Sequence, residues 1–231
     1  MGASAGPDIV ENGLVLALDA ADRNSYPGSG TTWTDLSGND SDGTLVSAGQ
    51  YNSGGWIDYG GNDVNTETTA SVNVSTSGNT IEQIIYANTI SVNGHMPFTF
   101  YNVSLDTWLY NDQFGINNGS SLRYGISGAT SIFVGKWVHY AVYIPNWTTA
   151  TYTQAKLWIN GVSQSMSILA GSVANRPISS PQTIGIGGGY TNGANTYNFD
   201  GRISLTRIYN RELSSSEIQQ NFNMLRGRFG I

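Results

Sequence analysis

Lys136-Trp-Val-His-Tyr-Ala-Val-Tyr-Ile144 is the stretch whose alternation decides the fold. In a strand, successive side chains point to opposite faces. Trp137, His139, Ala141 and Tyr143 therefore share one face, and Val138, Tyr140, Val142 and Ile144 the other. Both faces are largely apolar, which predicts a strand covered on both sides. Just downstream, Ala155-Lys-Leu-Trp-Ile-Asn160-Gly161-Val162 sets Asn-Gly between β-formers. That pair marks a hairpin, because both central turn positions need φ > 0.

Outward from this centre, short runs of β-branched and aromatic residues recur at the spacing of an all-β fold: Thr80–Tyr86, Met96–Tyr101, Leu109–Ile116, Leu122–Ile126, Gln182–Gly187 and Gly201–Tyr209. The first strand is read at Leu14–Leu18, ended by Asp19. Residues 25–45 are rich in Gly, Asp and Asn, the chemistry of a long turn region. The period changes only at the end, where Ile218, Phe222 and Leu225 fall on one helical face and Ser214 can cap with Glu217. This predicts one short C-terminal helix over about 214–226, packed on one end of the sandwich. Residues 1–12 read as a flexible N-terminal arm, and 13–231 as a single two-sheet antiparallel sandwich with that helix included.

Composition supports a folded domain with an uncharged polar surface. Of 231 residues, 39% are hydrophobic and only 11% charged, with six Trp and thirteen Tyr to fill a core. Average soluble domains carry roughly a quarter charged residues. The net charge is −6 with no basic run, which argues against a nucleic-acid partner. Only Lys136 and Lys156 are lysines, although Lys is a usual guard on open strand edges. Edges must be protected otherwise, and burial in an assembly is one way. No cysteine is present, so disulfides and thiolate metal sites are excluded. No apolar stretch approaches a membrane span, so no membrane insertion is expected. The start, MGASAGPDIVENG, lacks the basic and apolar regions of a signal peptide, which predicts synthesis in a cytoplasm.

Three segments carry a resemblance. GKWVHYAVYIPN, AKLWINGVSQ and FDGRISLTRIYNRELSSSEIQQNF resemble laminin-G-like, concanavalin A-like jelly rolls, in which a Trp-led strand, an Asn-Gly hairpin and a Tyr-Asn-Arg ending follow in this order. The matching positions are Trp137, Asn160-Gly161, Phe199, Gly201, Ile203, Tyr209-Asn210-Arg211, Leu213, Glu217 and Ile218. GLVLALDAADRNSYPGSGTTWTDLSGNDSDGTL and NFNMLRGRFGI are similar to segments of tailed-bacteriophage structural proteins. The resemblance implies a two-sheet antiparallel jelly roll. It also implies a non-catalytic virion protein, as capsid decoration, fibre or tail-surface domain. Such a protein would assemble with other virion proteins or with itself and touch host-surface glycans. A stand-alone carbohydrate-binding module is the alternative.

Candidate sites follow from residue types. Jelly-roll glucanases need two facing carboxylates, and none of Glu11, Glu67, Glu82, Glu212 or Glu217 sits in a Glu-x-Asp strand motif, so no catalytic residue is assigned. His139 reads as core, His95 as a loop residue, and GIGGGY at 185–190 as a glycine-rich turn. A possible Ca²⁺ site gathers Asp35, Asn39, Asp40 and Asp42 in one loop, with Asx turns as the metal-free explanation; Asp58, Asp63 and Asp200 are secondary acids. Trp33, Trp108, Trp147 and Tyr190 lie near turn-rich sequence and are the candidate sugar-stacking aromatics; the other role open to each loop Trp is to plug the sandwich. The tail, Arg226 to Ile231, is basic and apolar. It docks either into a neighbouring subunit or back onto its own sandwich, and trimming 225–231 is expected to weaken assembly more than folding.

Overall fold

The computed structural model describes residues 8–46, 50–60, 67–91, 94–119, 122–188 and 197–231, and the backbone alone of 190–191 and 194–195. In chain order the strands are β1 (Leu14–Asp19), β2 (Thr32–Trp33), β3 (Gly43–Leu45), β4 (Tyr51–Asn52), β5 (Trp56–Gly60), β6 (Thr68–Val72), β7 (Gly78–Ala87), β8 (His95–Phe100), β9 (Leu105–Tyr110), β10 (Gln113–Asn117), β11 (Arg123–Ser127), β12 (Trp137–Pro145), β13 (Lys156–Ile159), β14 (Val162–Gln164), β15 (Ser167–Ala170), β16 (Gln182–Ile186), β17 (Tyr190–Thr191), β18 (Ala194–Asn195) and β19 (Asp200–Tyr209). Two helices are α1 (Ala129–Phe133) and α2 (Ser215–Phe229). Sheet A runs β14-β13-β12-β7-β19-β5-β4, with β1 also on β19. Sheet B runs β15-β11-β10-β9-β8-β16-β6-β3-β2, and β17–β18 form a separate ribbon. The two large sheets pack face to face as an antiparallel sandwich, as the alternation requires.

The decisive strand behaves as its sequence predicts. β12 lies between β7 and β13. Val138, Tyr140, Val142 and Ile144 enter the main core between the sheets, while His139 and Ala141 on the opposite face are also fully buried. Asn160 and Gly161 turn the β13–β14 hairpin with φ of 49° and 76°. The run Leu109–Ile116 is not one strand. Asn111 and Asp112 both take positive φ, 46° and 64°, and split it into the β9–β10 hairpin.

Burial on the second face of β12 comes from α2. Its start is a capping box: Ser214 accepts from the Glu217 N–H, and Glu217 reaches back to the Ser214 N–H. The helix does not sit on one end of the sandwich. It lies across the outer face of sheet A, where Ile218 joins Val10, Ala141, Trp158, Tyr209 and Leu213, and Leu225 packs on Ile84 and Leu205. The outer positions of β7, β12 and β19 mix apolar Ile84, Ala141 and Leu205 with Glu82, His139 and Arg207, and a helix laid over them removes all of these from water.

Both chain ends close on this third layer. Residues 8–12 belong to it rather than to a flexible arm: Val10 is buried, and its N–H donates to Asn221 Oδ1 at 2.9 Å. Asn221 Nδ2 in turn donates to Glu82 Oε2 at 2.8 Å and to Tyr209 OH at 3.0 Å. The tail folds back on its own sandwich. Phe229 and Ile231 pack with Trp137, and Arg228 pairs with Asp19 at 2.8 Å and donates to Ser204 Oγ at 3.0 Å. The apolar tail residues are therefore committed within the chain, the second of the two placements the sequence left open.

Candidate functional site

The outer face of sheet B, opposite the helix-covered side, is the face that side chains have equipped. Phe98, Leu105, Leu109, Phe114 and Ile116 point inward to the core, so their strand neighbours point out. Strand register then lines the outward residues into rows. One row crosses six strands: Thr69, Gly185, Thr99, Asp106, Asn117 and Arg123. The next holds Trp108, Gly115, Gly125 and Ser167, and a third Tyr110, Gln113 and Ser127. A polar row thus runs beside an aromatic and glycine row.

The two glycines shape the floor. A Cβ on Gly115 would lie 2.3 Å from Tyr124 O, and one on Gly125 2.1 Å from Phe114 O, so the backbones approach too closely for any other residue. Above them Trp108, Tyr110, Gln113, Arg123 and Leu169 line a small hollow of about 10 Å³. Arg123 extends across it, its guanidinium carbon 4.1 Å from the Tyr110 ring centre, within cation–π range. Trp108 is half-buried and stacks obliquely with Tyr197 at 4.9 Å. Trp108 Nε1 and Gln113 Oε1 are buried without hydrogen-bond partners, two unmet polar atoms at the hollow.

Asp106 gives the polar row its chemistry. It is 2% exposed, accepts from Thr99 Oγ1, and accepts from Asn117 Nδ2 at 3.3 Å. Burial raises its pKa to about 7, against the lowering effect of the Thr99 and Asn117 hydrogen bonds. Beside it the Tyr101 hydroxyl donates to Glu67 Oε2 and lies over Gly185, and burial with Glu67 pushes that phenol up.

The sequence-read candidates fare unequally. Of the three candidate tryptophans Trp108 alone lies on this face, within β9 rather than in a turn. Trp33 and Trp147 are fully buried plugs and present no ring to a ligand. The Tyr190 side chain lies outside the described residues, as does Asp63. His139 is core, 3.5 Å from Glu82 and packed on Phe222. His95 is not a loop residue: it opens β8, buried, with Nδ1 2.7 Å from Asn198 O. Glu82 lies under α2 and Asp200 pairs with Asn88, both away from the hollow.

The calcium candidates do not fit an ion. Asp35 Oδ1 accepts from the Ala17 and Ser37 N–H groups, and Oδ2 from Ser37 Oγ and the Ser41 N–H. Asp42 caps the Asp35 N–H, and Asn39 donates to Leu14 O. Donors surround Asp35 where a cation would need acceptors. Among the described residues no three His, Cys, Asp or Glu side chains converge. With Leu36 N–H on Ala17 O, this loop instead closes the open edge of β1. A cavity of about 380 Å³ opens beside β1, but its wall of Ile9, Leu14, Leu36 and Arg207 carries no aromatic side chain.

Missed by sequence reading were Asp106, Tyr110, Gln113, Asn117, Arg123 and the glycine pair. A signal was there: Asp106, Trp108 and Tyr110 alternate with Leu105, Thr107 and Leu109, which assigns them one face.

The Laminin_G_3 family, described as the concanavalin A-like lectin/glucanases superfamily, matches residues 58–219. The chain belongs to this superfamily. Among curated proteins none matches. Solved structures share the fold at low identity. The binding domain of botulinum neurotoxin serotype D/C VPI 5993 is 15% identical with a TM-score of 0.62, over 93% of this chain and 53% of that one. The botulinum neurotoxin type G receptor-binding domain is 14% identical, TM-score 0.57, over 92% and 51%. Trypanosoma rangeli sialidase in complex with sialic acid is 16% identical, TM-score 0.57, over 91% and 32%. This lectin-like superfamily domain thus spans between a third and about half of those chains.

Proposed function

We propose that this chain is a non-catalytic carbohydrate-binding domain whose ligand lies on the outer face of sheet B, across Trp108 and the Gly115–Gly125 floor. The observation that carries the reading is the pairing of rows. A sugar ring offers apolar C–H faces and a rim of hydroxyls. Trp108 and Tyr110 supply rings for the first, and Gln113 and Arg123 supply hydrogen bonds for the second. Glycines let the ring approach the backbone. Glycoside hydrolysis needs two carboxyl groups flanking the bond; the rows hold only Asp106, and nearby Glu67 is engaged by Tyr101.

The setting we propose is the surface of a tailed-bacteriophage particle, on the sequence similarity of the chain's two ends to phage structural proteins. Mass spectrometry of purified particles from a phage encoding this chain should find it, and its absence there would leave the stand-alone binding module.

Binding itself is tested on a glycan array with the purified protein. Saturable binding should fall about tenfold or more with Trp108→Ala, equivalent to about 1.4 kcal/mol. It should survive Trp56→Ala, which alters an aromatic cluster on the opposite sheet where Trp56 meets Trp137 at 5.6 Å. No saturable glycan, or binding indifferent to Trp108 and sensitive to Trp56, would overturn the assignment.

A further inference from the structure

We infer that the cavity beside β1 binds a small amphipathic monocarboxylate, with the carboxylate on Arg207 and the apolar end against Ile9, Leu14 and Leu36. At about 380 Å³ the cavity falls in the size class of small-molecule sites. Its floor is the outer face of β1 and β19. Leu16 and Leu18 point into the core, so Ala17 between them points out, and strand register sets it beside Arg207. The N-terminal segment flanks the space with Ile9 and Glu11, and the loop between β2 and β3 flanks it with Leu36 and Ser37. Ala17 is small, and its short side chain leaves depth above the floor.

Arg207 is the residue that points to a ligand. It is 6% exposed, and its Nη1 is buried without a hydrogen-bond partner. Among the described residues its guanidinium enters no hydrogen bond and no ion pair. The neighbouring acids are committed elsewhere. Glu82, opposite on β7, accepts from Asn221 at Oε2 and turns Oε1 toward His139. Asp19, on the cavity wall, takes the Ala21 N–H on Oδ1 and Arg228 on Oδ2. A cation held out of water without such partners is unfavourable. The planar fork of a guanidinium matches a carboxylate in two parallel hydrogen bonds, and Arg207 belongs to the cavity wall.

The rest of the wall sets the class of acid. Glu11 and Asp22 also line the cavity, and their negative charge opposes a second anionic group on the ligand. Sulfate, phosphate and dicarboxylates are therefore disfavoured. Leu36, 41% exposed, offers apolar surface together with Ile9 and Leu14. The site stands on the opposite sheet from Trp108 and does not depend on the glycan reading.

An NMR titration of the intact protein with hexanoate tests the assignment. Amide shifts should saturate and cluster at Ala17, Ser37 and Arg207, with a Kd at or below about 1 mM, attainable for a ligand of this size. Hexanol, adipate and sulfate should each bind at least about tenfold more weakly. Arg207→Met should lose the hexanoate shifts yet melt no lower than the parent, because an apolar chain replaces an unpaired buried cation. Ala17→Leu keeps the cation and fills the floor, and it too should weaken binding at least about tenfold. Trp108→Ala should bind hexanoate as the parent does. The inference is overturned by the absence of saturable shifts, by sulfate binding as tightly as hexanoate, or by binding that survives either cavity substitution. Loss of hexanoate binding in Trp108→Ala would overturn it as well, by placing the acid on sheet B. An Arg207→Met variant that melts far below the parent would do the same, by making the guanidinium a structural element.

Discussion

Asp106 is a carboxyl held away from water in a row where Thr99 and Asn117 are buried with it, and its raised pKa makes a pH-dependent contribution to stability. Below about pH 4 the group is protonated in both the folded and the unfolded chain. Between there and about pH 7 the folded state keeps the proton that the unfolded chain has released, so stability falls as pH rises. The rise from 3.8 to about 7 caps that loss at roughly 4 kcal/mol. Asp106→Asn has the same shape and no proton to lose. Its melting temperature should stay level from pH 5 to 8 while the parent's declines, and the variant should be the more stable at pH 8. Parallel profiles for the two proteins would show that Asp106 is not the group responsible. Residue identity was only partly legible beforehand. Asp35 and its neighbours read equally as a metal loop or as Asx turns, because both uses select oxygen-bearing side chains beside glycine. Only the Ala17 N–H on Asp35, contributed from a strand 18 residues away, decides between them.

The elements show where sequence information ends more plainly. Ser214 and Glu217 announce the start of α2 because capping is local chemistry, and the period of Ile218, Phe222 and Leu225 announces its buried face. Which surface receives that face is a long-range matter. It is set by Ile84, Leu205 and Tyr209, which are far from the helix in sequence or read simply as strand residues. The β9–β10 hairpin was hidden for another reason: Asn111-Asp112 lacks the glycine that marks such turns. The helix layer also holds the stability lost by truncation. Removing residues 225–231 uncovers Ile84, Leu205 and Trp137 and deletes the Arg228–Asp19 pair. Loss of buried Leu and Phe side chains costs about 2–5 kcal/mol apiece where packing is full. The truncated protein should melt well below the parent, and an unchanged melt would mean that the tail does not pack in solution. At the other end of α2, Arg211 beside Glu217 holds that carboxyl at about 2, so its contribution is present above about pH 4.5 and lost on acidification toward 2.

At the scale of the whole molecule the two outer faces have divided labour. Sheet A is sealed by α2 and by both described ends of the chain, whereas the outer face of sheet B carries the rows with Trp108, Asn117 and Arg123. Those rows were beyond sequence reading because they exist only across strands. Gly115 and Gly125 stand ten residues apart, and Asp106 meets Thr99 and Asn117 only once register is fixed. The sandwich separates the layer of chain ends from the proposed glycan face by its full core. It follows that a rigid attachment made at the C-terminus leaves the hollow open, while one made on sheet B does not. Protein immobilised through a C-terminal tag should bind monovalent sugar with the affinity measured free in solution. Protein immobilised through a cysteine introduced at Ser127, in the row of Tyr110 and Gln113, should bind less, since the surface then crowds that face. The chain has no cysteine of its own, so the attachment is unambiguous. Equal binding by both surfaces would move the ligand off sheet B. Loss only on the C-terminal surface would move it to the helix-covered side, where the aromatic cluster of Trp56, Tyr86 and Trp137 is the alternative platform.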